Sequence, residues 1–147
     1  MLNELVMRYP VLGIVRDDVN KAYSLLEACY ENGGKLLIAG NGGSAADAEH
    51  IGGELMKGVV KRRPLPKELK CALIDTDPIR GRELSEKLQQ GLPAIALTNH
   101  AALSSAFAND VDGMLSYAQQ VNGYGKAGDV FLGISTSGNS ENVMYAA

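Results

Sequence analysis

The chain alternates between stretches with helical spacing and short runs that are apolar throughout. Val19, Ala22, Tyr23, Leu26, Cys29 and Tyr30 recur at helical intervals, with Asp17 and Asp18 opening the helix and Gly33 and Gly34 ending it. A shorter helix over residues 2–9 stops at Pro10. Three runs read as buried strands because they are short, apolar and bounded by turn residues: Lys35–Ala39, Leu92–Leu97 and Val130–Ile134. Between and after them the pattern predicts helices over about Ala45–Lys57, Ala101–Ala108 and Asp112–Val121, and a helix just beginning at residues 141–147. Apolar strands alternating with helices predict an α/β fold, a three-layer αβα sandwich around a parallel sheet.

Residues 58–91 break this rhythm. Lys57, Lys61, Arg62, Arg63, Lys67 and Lys70 cluster there with Pro64 and Pro66, and a helix is read at Arg82–Gln90. The segment reads as a solvated, partly helical insertion, with a subunit contact as its other use. The basic cluster has no interleaved aromatics, so it does not suggest nucleic-acid binding. A net charge of −3 and a pI of about 5.4 argue the same for the whole chain, and against membrane binding by charge. No apolar run approaches the ~18 residues of a spanning helix, and the first ten residues lack a signal-peptide pattern. The expected location is therefore cytoplasmic, with Cys29 and Cys71 as reduced thiols. At 147 residues the expectation is one domain over 1–147, with N-terminal helices over 1–34 and the insertion at about 58–91.

Two loops carry the candidate chemistry. Gly40-Asn41-Gly42-Gly43-Ser44 leaves the first strand and enters a helix. Glycines there let backbone N–H groups face an anion, and the helix dipole favours negative charge. Ser44 with Asp47 also fits a helix-capping pattern. Ser135-Thr136-Ser137-Gly138-Asn139-Ser140 leaves the third strand, and its four hydroxyls are donors that rotate to suit a phosphate. It has no lysine, so it is not the nucleotide-hydrolase phosphate loop. Both loops fall at carboxyl ends of strands, where open α/β sheets bind ligands.

On the helix between them, His50 and Glu54 are four apart and share a face with Asp47. Such a pair can hold half of a metal site, and Glu54 alone can act as a base. Gly52 and Gly53 interrupt the same helix at ~1 kcal/mol each relative to Ala, which suggests close approach of another backbone or a ligand. Gly40–Ala45 also matches a dinucleotide fingerprint. That motif needs an acidic residue some ~20 positions on, where this chain has Val59, Val60, Lys61, Arg62 and Arg63. His100, after the second strand, reads as a loop or helix-start residue.

Residues 40–55 (GNGGSAADAEHIGGEL) and 133–143 (GISTSGNSENV) resemble the two signature segments of the phosphoheptose isomerase branch of the SIS (sugar isomerase) family. Asn109-Asp110 and Gly128-Asp129-Val130 resemble further segments of it. The resemblance covers roughly residues 15–147 apart from the insertion. It implies a five-stranded parallel sheet, usually in a homotetramer, and interconversion of sedoheptulose 7-phosphate with D-glycero-D-manno-heptose 7-phosphate through an enediol. Carried over by position, Asn41, Gly42, Gly43, Ser44, Asn109 and Asp110 touch substrate. Ser135, Thr136, Ser137 and Ser140 hold its phosphate. His50 and Glu54 ligate zinc, and Glu54 is also the catalytic base. Family members continue for ~50 residues that supply a Gln and a second His, so this chain is expected to lack the C-terminal part of the domain. The insertion is absent from compact members and bears on substrate access or assembly. The alternative implied by the resemblance is a non-catalytic phosphosugar-binding protein acting through a protein partner, like the replication-initiator-associating homologue.

Overall fold

The structure, a computed structural model, describes residues 2–147. Two helices come first, α1 (Leu2–Arg8) and α2 (Arg16–Glu31), joined by a 3₁₀ turn at Pro10–Val15. The α2 helix ends where Gly33 takes a φ of +74° and the Gly34 N–H returns to the Cys29 carbonyl at 2.8 Å. The chain then enters β1 (Leu36–Gly40), whose five residues are all buried. A strand buried on both faces needs cover from two layers, and it has both.

The helix α3 (Gly43–Met56) follows β1 directly. Leu36 and Ile38 meet Ala48, Ile51 and Leu55 of α3 and Leu26 and Tyr30 of α2 on one face of the sheet. Two short helices, α4 (Lys67–Thr76) and α5 (Arg80–Lys87), precede β2 (Ala94–Ala96). Then come α6 (Ala101–Asp110), α7 (Ser116–Tyr124), β3 (Val130–Ile134) and the short α8 (Glu141–Met144). On the second face, Leu37, Ala39 and Leu97 pack with Tyr117 and Val121 of α7 and with Phe131. The sheet runs β2-β1-β3, all parallel, with Gly40 opposite Ile134 at its carboxyl edge. This is the expected αβα sandwich, with three strands among the described residues.

Several boundaries differ from the sequence reading, each for a local reason. The second strand was expected over Leu92–Leu97, but β2 keeps only three residues. The Leu92 N–H goes to the Leu55 carbonyl, and the Leu97 carbonyl accepts from the Gln120 amide. The helix expected from Asp112 starts instead with a 3₁₀ turn at Gly113–Leu115, where the Asp112 carboxylate accepts the Met114 N–H at 2.8 Å. The segment 58–91 holds two helices, not one. Asp77 separates them, its carboxylate accepting the N–H groups of Ile79 and Arg80. Those two bonds hold the Asp77 carboxyl below its ordinary range. Gly81 seats the two helices together, since a Cβ there would lie 1.9 Å from the Leu73 carbonyl oxygen.

The hairpin of α4 and α5 hangs on a narrow stem. Pro64 bridges Gln89 in antiparallel fashion, the Gln90 N–H bonds the Arg63 carbonyl, and the Arg63 guanidinium bonds the carbonyls of Leu55 and Gln90. Helix α3 starts at the carboxyl edge of the sheet and runs back, so its last turn and the entry to β2 lie at the amino edge. The stem is therefore at the end of the sheet opposite the two candidate loops.

Candidate functional site

Strands β1 and β3 are hydrogen-bonded neighbours, so their exit loops emerge side by side. The first loop turns at Gly42, with φ +55° and ψ −119°, a conformation that glycine adopts readily and other residues do not. Gly40 permits a second close approach: a Cβ there would lie 2.6 Å from the Ser44 carbonyl oxygen. Asn41, Gly42 and Gly43 are exposed. The expected Ser44–Asp47 cap is not formed. The helix begins at Gly43 with Gly42 as its cap residue, and Ser44 lies buried inside the first turn. The Ser44 and Ala45 N–H groups bond the carbonyls of Asn41 and Gly42.

The second loop is organised by its own hydroxyls. Ser135 Oγ lies 2.9 Å from Ser140 Oγ and 3.4 Å from Ser137 Oγ, and Ser137 Oγ accepts the Asn139 N–H at 3.2 Å. Gly138 makes the turn at φ +70°. Thr136 is exposed beside them. A cavity of about 290 Å³ opens under the loop, between Phe131 and Gly133 of β3 and Val143 and Met144 of α8. Ser135, Ser137 and Ser140 thus converge on one spot, with hydroxyls able to turn toward an anion.

The glycine loop touches the first turn of α8, the helix that follows the hydroxyl loop. Asn41 and Asn142 form a reciprocal carboxamide pair with both N···O distances at 2.8 Å. From below, Tyr117 of α7 donates its hydroxyl to the Gly40 carbonyl at 2.6 Å and lies 3.5 Å from Asn41 Oδ1. Desolvation pushes the Tyr117 phenol above its ordinary pKa, so it remains a donor at neutral pH. Gln120, one helical turn on, is buried and donates to the Leu97 carbonyl at 2.9 Å. Helix α7 thus braces the exits of both β1 and β2. Sequence reasoning missed Tyr117, Gln120 and Asn142. The one available signal was Gln120 interrupting the apolar stripe of Tyr117, Val121 and Tyr124.

His50 is exposed and Glu54 half-buried, one turn apart on α3 and leading away from the glycine loop. Among the described residues no group of three or more His, Cys, Asp and Glu side chains is placed to hold a metal. A catalytic zinc takes three protein ligands. His50 and Glu54 are two such side chains at most, so the described residues do not form a zinc site by themselves. Gly52 and Gly53 meet no close backbone: a Cβ on either would find nothing within 4 Å. Asn109 and Asp110 stand exposed at the end of α6, hydrogen-bonded to each other at 2.7 Å and, among the described residues, to neither loop. His100 is exposed where α6 begins, and Glu49 beside His50 accepts the Thr98 hydroxyl at 3.0 Å.

A parallel α/β sandwich with a glycine loop and a hydroxyl loop leaving neighbouring strands at its carboxyl edge defines a class, the open-sheet α/β domains whose ligand crevice lies at that edge. Residues 14–90 match the family model of the SIS domain. The chain belongs to the SIS domain family. It is 38% identical over 121 residues to the phosphoheptose isomerase of Desulfovibrio desulfuricans, covering 82% of this chain and 45% of that protein. It is 39% identical over 127 residues to phosphoheptose isomerase 2 of Campylobacter jejuni, covering 86% and 50%. The solved phosphoheptose isomerase of Neisseria gonorrhoeae superposes with a TM-score of 0.61 at 32% identity, covering 99% of this chain and 67% of that one. The Francisella tularensis enzyme gives 0.65 at 27%, covering 99% and 66%. The chain spans about half the length of the curated relatives it matches.

Proposed function

We propose that this chain is the phosphosugar-binding part of an isomerase that interconverts sedoheptulose 7-phosphate and D-glycero-D-manno-heptose 7-phosphate. The observation that carries the reading is the side-by-side exit of the two loops from β1 and β3, tied by Asn41 to Asn142 of α8, with His50 and Glu54 on the helix that the glycine loop starts. Ser135, Thr136, Ser137 and Ser140 hold the phosphate by rotating hydroxyls toward its oxygens. Asn41, Gly42 and Gly43 face the sugar, and buried Ser44 fixes the loop beneath it. Asn109 and Asp110 are further substrate contacts by the resemblance alone. The phosphate is remote from the reacting carbons, so its binding energy serves to position them.

Glu54 is the base in this proposal. It removes a proton from C1 of the ketose, and a proton reaches the C2 oxygen to give the enediol. The C1 hydroxyl then loses its proton as carbon C2 takes one up, leaving the aldose. The resemblance adds zinc at His50 and Glu54, which would polarise the two substrate oxygens. The family's remaining donors, a Gln and a second His, lie beyond the residues matched here. The proposal further includes a homo-oligomer, a tetramer by the resemblance, working in the cytoplasm. Its support is the exposed apolar surface of the N-terminal helices, where Met7, Val11 and Ile14 are 73–88% exposed. No helix of the described residues is long and apolar enough to cross a membrane.

The test is turnover of sedoheptulose 7-phosphate by the full-length protein and by its Glu54→Gln variant. Loss of at least ~100-fold in kcat with sugar-phosphate binding retained is expected for a missing base. Unchanged turnover in Glu54→Gln would remove Glu54 from the chemistry. Binding without turnover in the parent protein would point to the partner-acting alternative.

A further inference from the structure

Asn41 sits where the sugar would lie, yet its carboxamide is already engaged. A carboxamide has two N–H donors and an oxygen with two lone pairs. One donor of Asn41 goes to Asn142 Oδ1, and its oxygen accepts from Asn142 Nδ2, both at 2.8 Å. Rotating either amide alone by half a turn would set nitrogen against nitrogen and oxygen against oxygen, so the pair fixes each amide relative to the other. Tyr117 adds a third constraint. Its one hydroxyl proton is given to the Gly40 carbonyl at 2.6 Å, and the 3.5 Å contact with Asn41 is too long to share it fully. Tyr117 therefore acts through the backbone, holding the last residue of β1 while Asn142 holds the side chain that follows.

Asn41 and Asn142 are 101 positions apart in the chain, and Asn142 stands two residues after Ser140. The pair is also exposed, so it contributes little to keeping the chain folded. Its effect is local: it joins the glycine loop to the helix that follows the hydroxyl loop and leaves one amide N–H of Asn41 free. We propose that Asn142 and Tyr117 are positioning residues that clamp Asn41, so that the two loops meet a sugar phosphate as one preformed surface. This rests on the isomerase reading for its functional consequence, but not for the clamp itself.

Two measurements separate the two claims. The first is a double-mutant cycle on sedoheptulose 7-phosphate turnover. Asn142→Ala alone should lower kcat/KM by about 10-fold, mostly through KM, the scale of two lost, exposed hydrogen bonds. In an Asn41→Ala background the same change should add less than about twofold, because its target is gone. Tyr117→Phe, which keeps the ring and its packing, should lower kcat/KM in the same direction. Equal penalties in both backgrounds would overturn the clamp. The second is amide hydrogen exchange at residues 41–45, with β1 as the internal reference. Asn142→Ala and Tyr117→Phe should each speed exchange in the loop and leave β1 unchanged; an unaltered loop would also overturn it. If the parent protein turns over no sugar phosphate, the isomerase reading fails, and the exchange result alone decides the clamp. If Asn142→Ala does not fold, Tyr117→Phe decides it by the same two readouts.

Discussion

Lys35 and Asp129 show how much one carboxylate can organise. Asp129 pairs with the Lys35 ammonium and accepts the backbone N–H groups of Lys35 at 2.9 Å and Lys126 at 2.7 Å. It thereby aligns the amino ends of β1 and β3. The Lys35 ammonium first, then the two N–H groups, hold the Asp129 carboxyl below its ordinary range against the upward push of desolvation. A carboxyl depressed in the folded state stabilises the fold above its unfolded pKa of about 3.9, and that stability is lost as pH falls through the lower folded value. Asp129→Asn should therefore reduce stability at neutral pH and flatten its fall below about pH 4. Urea midpoints measured across that range would show it, and parallel curves for the two proteins would exclude it. Single residues were also where the sequence was least legible. The glycines at 40 and 42 were readable because their backbone demand is local. Ser44 matched a capping motif whose role Gly42 fills, and of the backbone or ligand that Gly52 and Gly53 were read as admitting, the described fold brings no backbone close. Tyr117 and Gln120 were invisible because their partners are backbone carbonyls 77 and 23 positions away.

The elements were more legible, because their signal is repeated along several residues. Apolar runs gave all three strands, and Val130–Ile134 kept its expected limits. The hairpin was read only in part. Helices α4 and α5 stabilise each other through Gly81 against Leu73, a contact no spacing announces. Its attachment depends heavily on Arg63, whose guanidinium bonds the carbonyls of Leu55 and Gln90. Hydrogen bonds from charged groups contribute ~1.5–3 kcal/mol each. Arg63→Ala should loosen the stem at that scale without melting the sheet. Hydrogen exchange would then quicken over 67–87 while β1 amides stay protected; equal quickening in both would mean that hairpin and sheet unfold together.

At the scale of the molecule, the candidate loops and the most exposed apolar side chains of the N-terminal helices belong to different elements. The loops occupy the carboxyl edge, and the N-terminal arm carries Met7, Val11, Ile14, Tyr23 and Leu25 toward solvent. In an oligomer that covers this arm, Ile14→Asp together with Met7→Glu should shift sedimentation from oligomer to monomer and leave circular dichroism unchanged. A parent protein that sediments as a monomer at micromolar concentration would remove the assembly from the proposal. The hairpin has a different consequence. Because it leaves and rejoins the fold through a stem at the amino edge, its length is independent of strand register and of the ligand loops. The bend between α4 and α5, with Ile79 83% exposed, is thus a natural splice point. A reporter domain grafted there would ride on the protein at the end of the sheet away from the two candidate loops, with strand register left as it is.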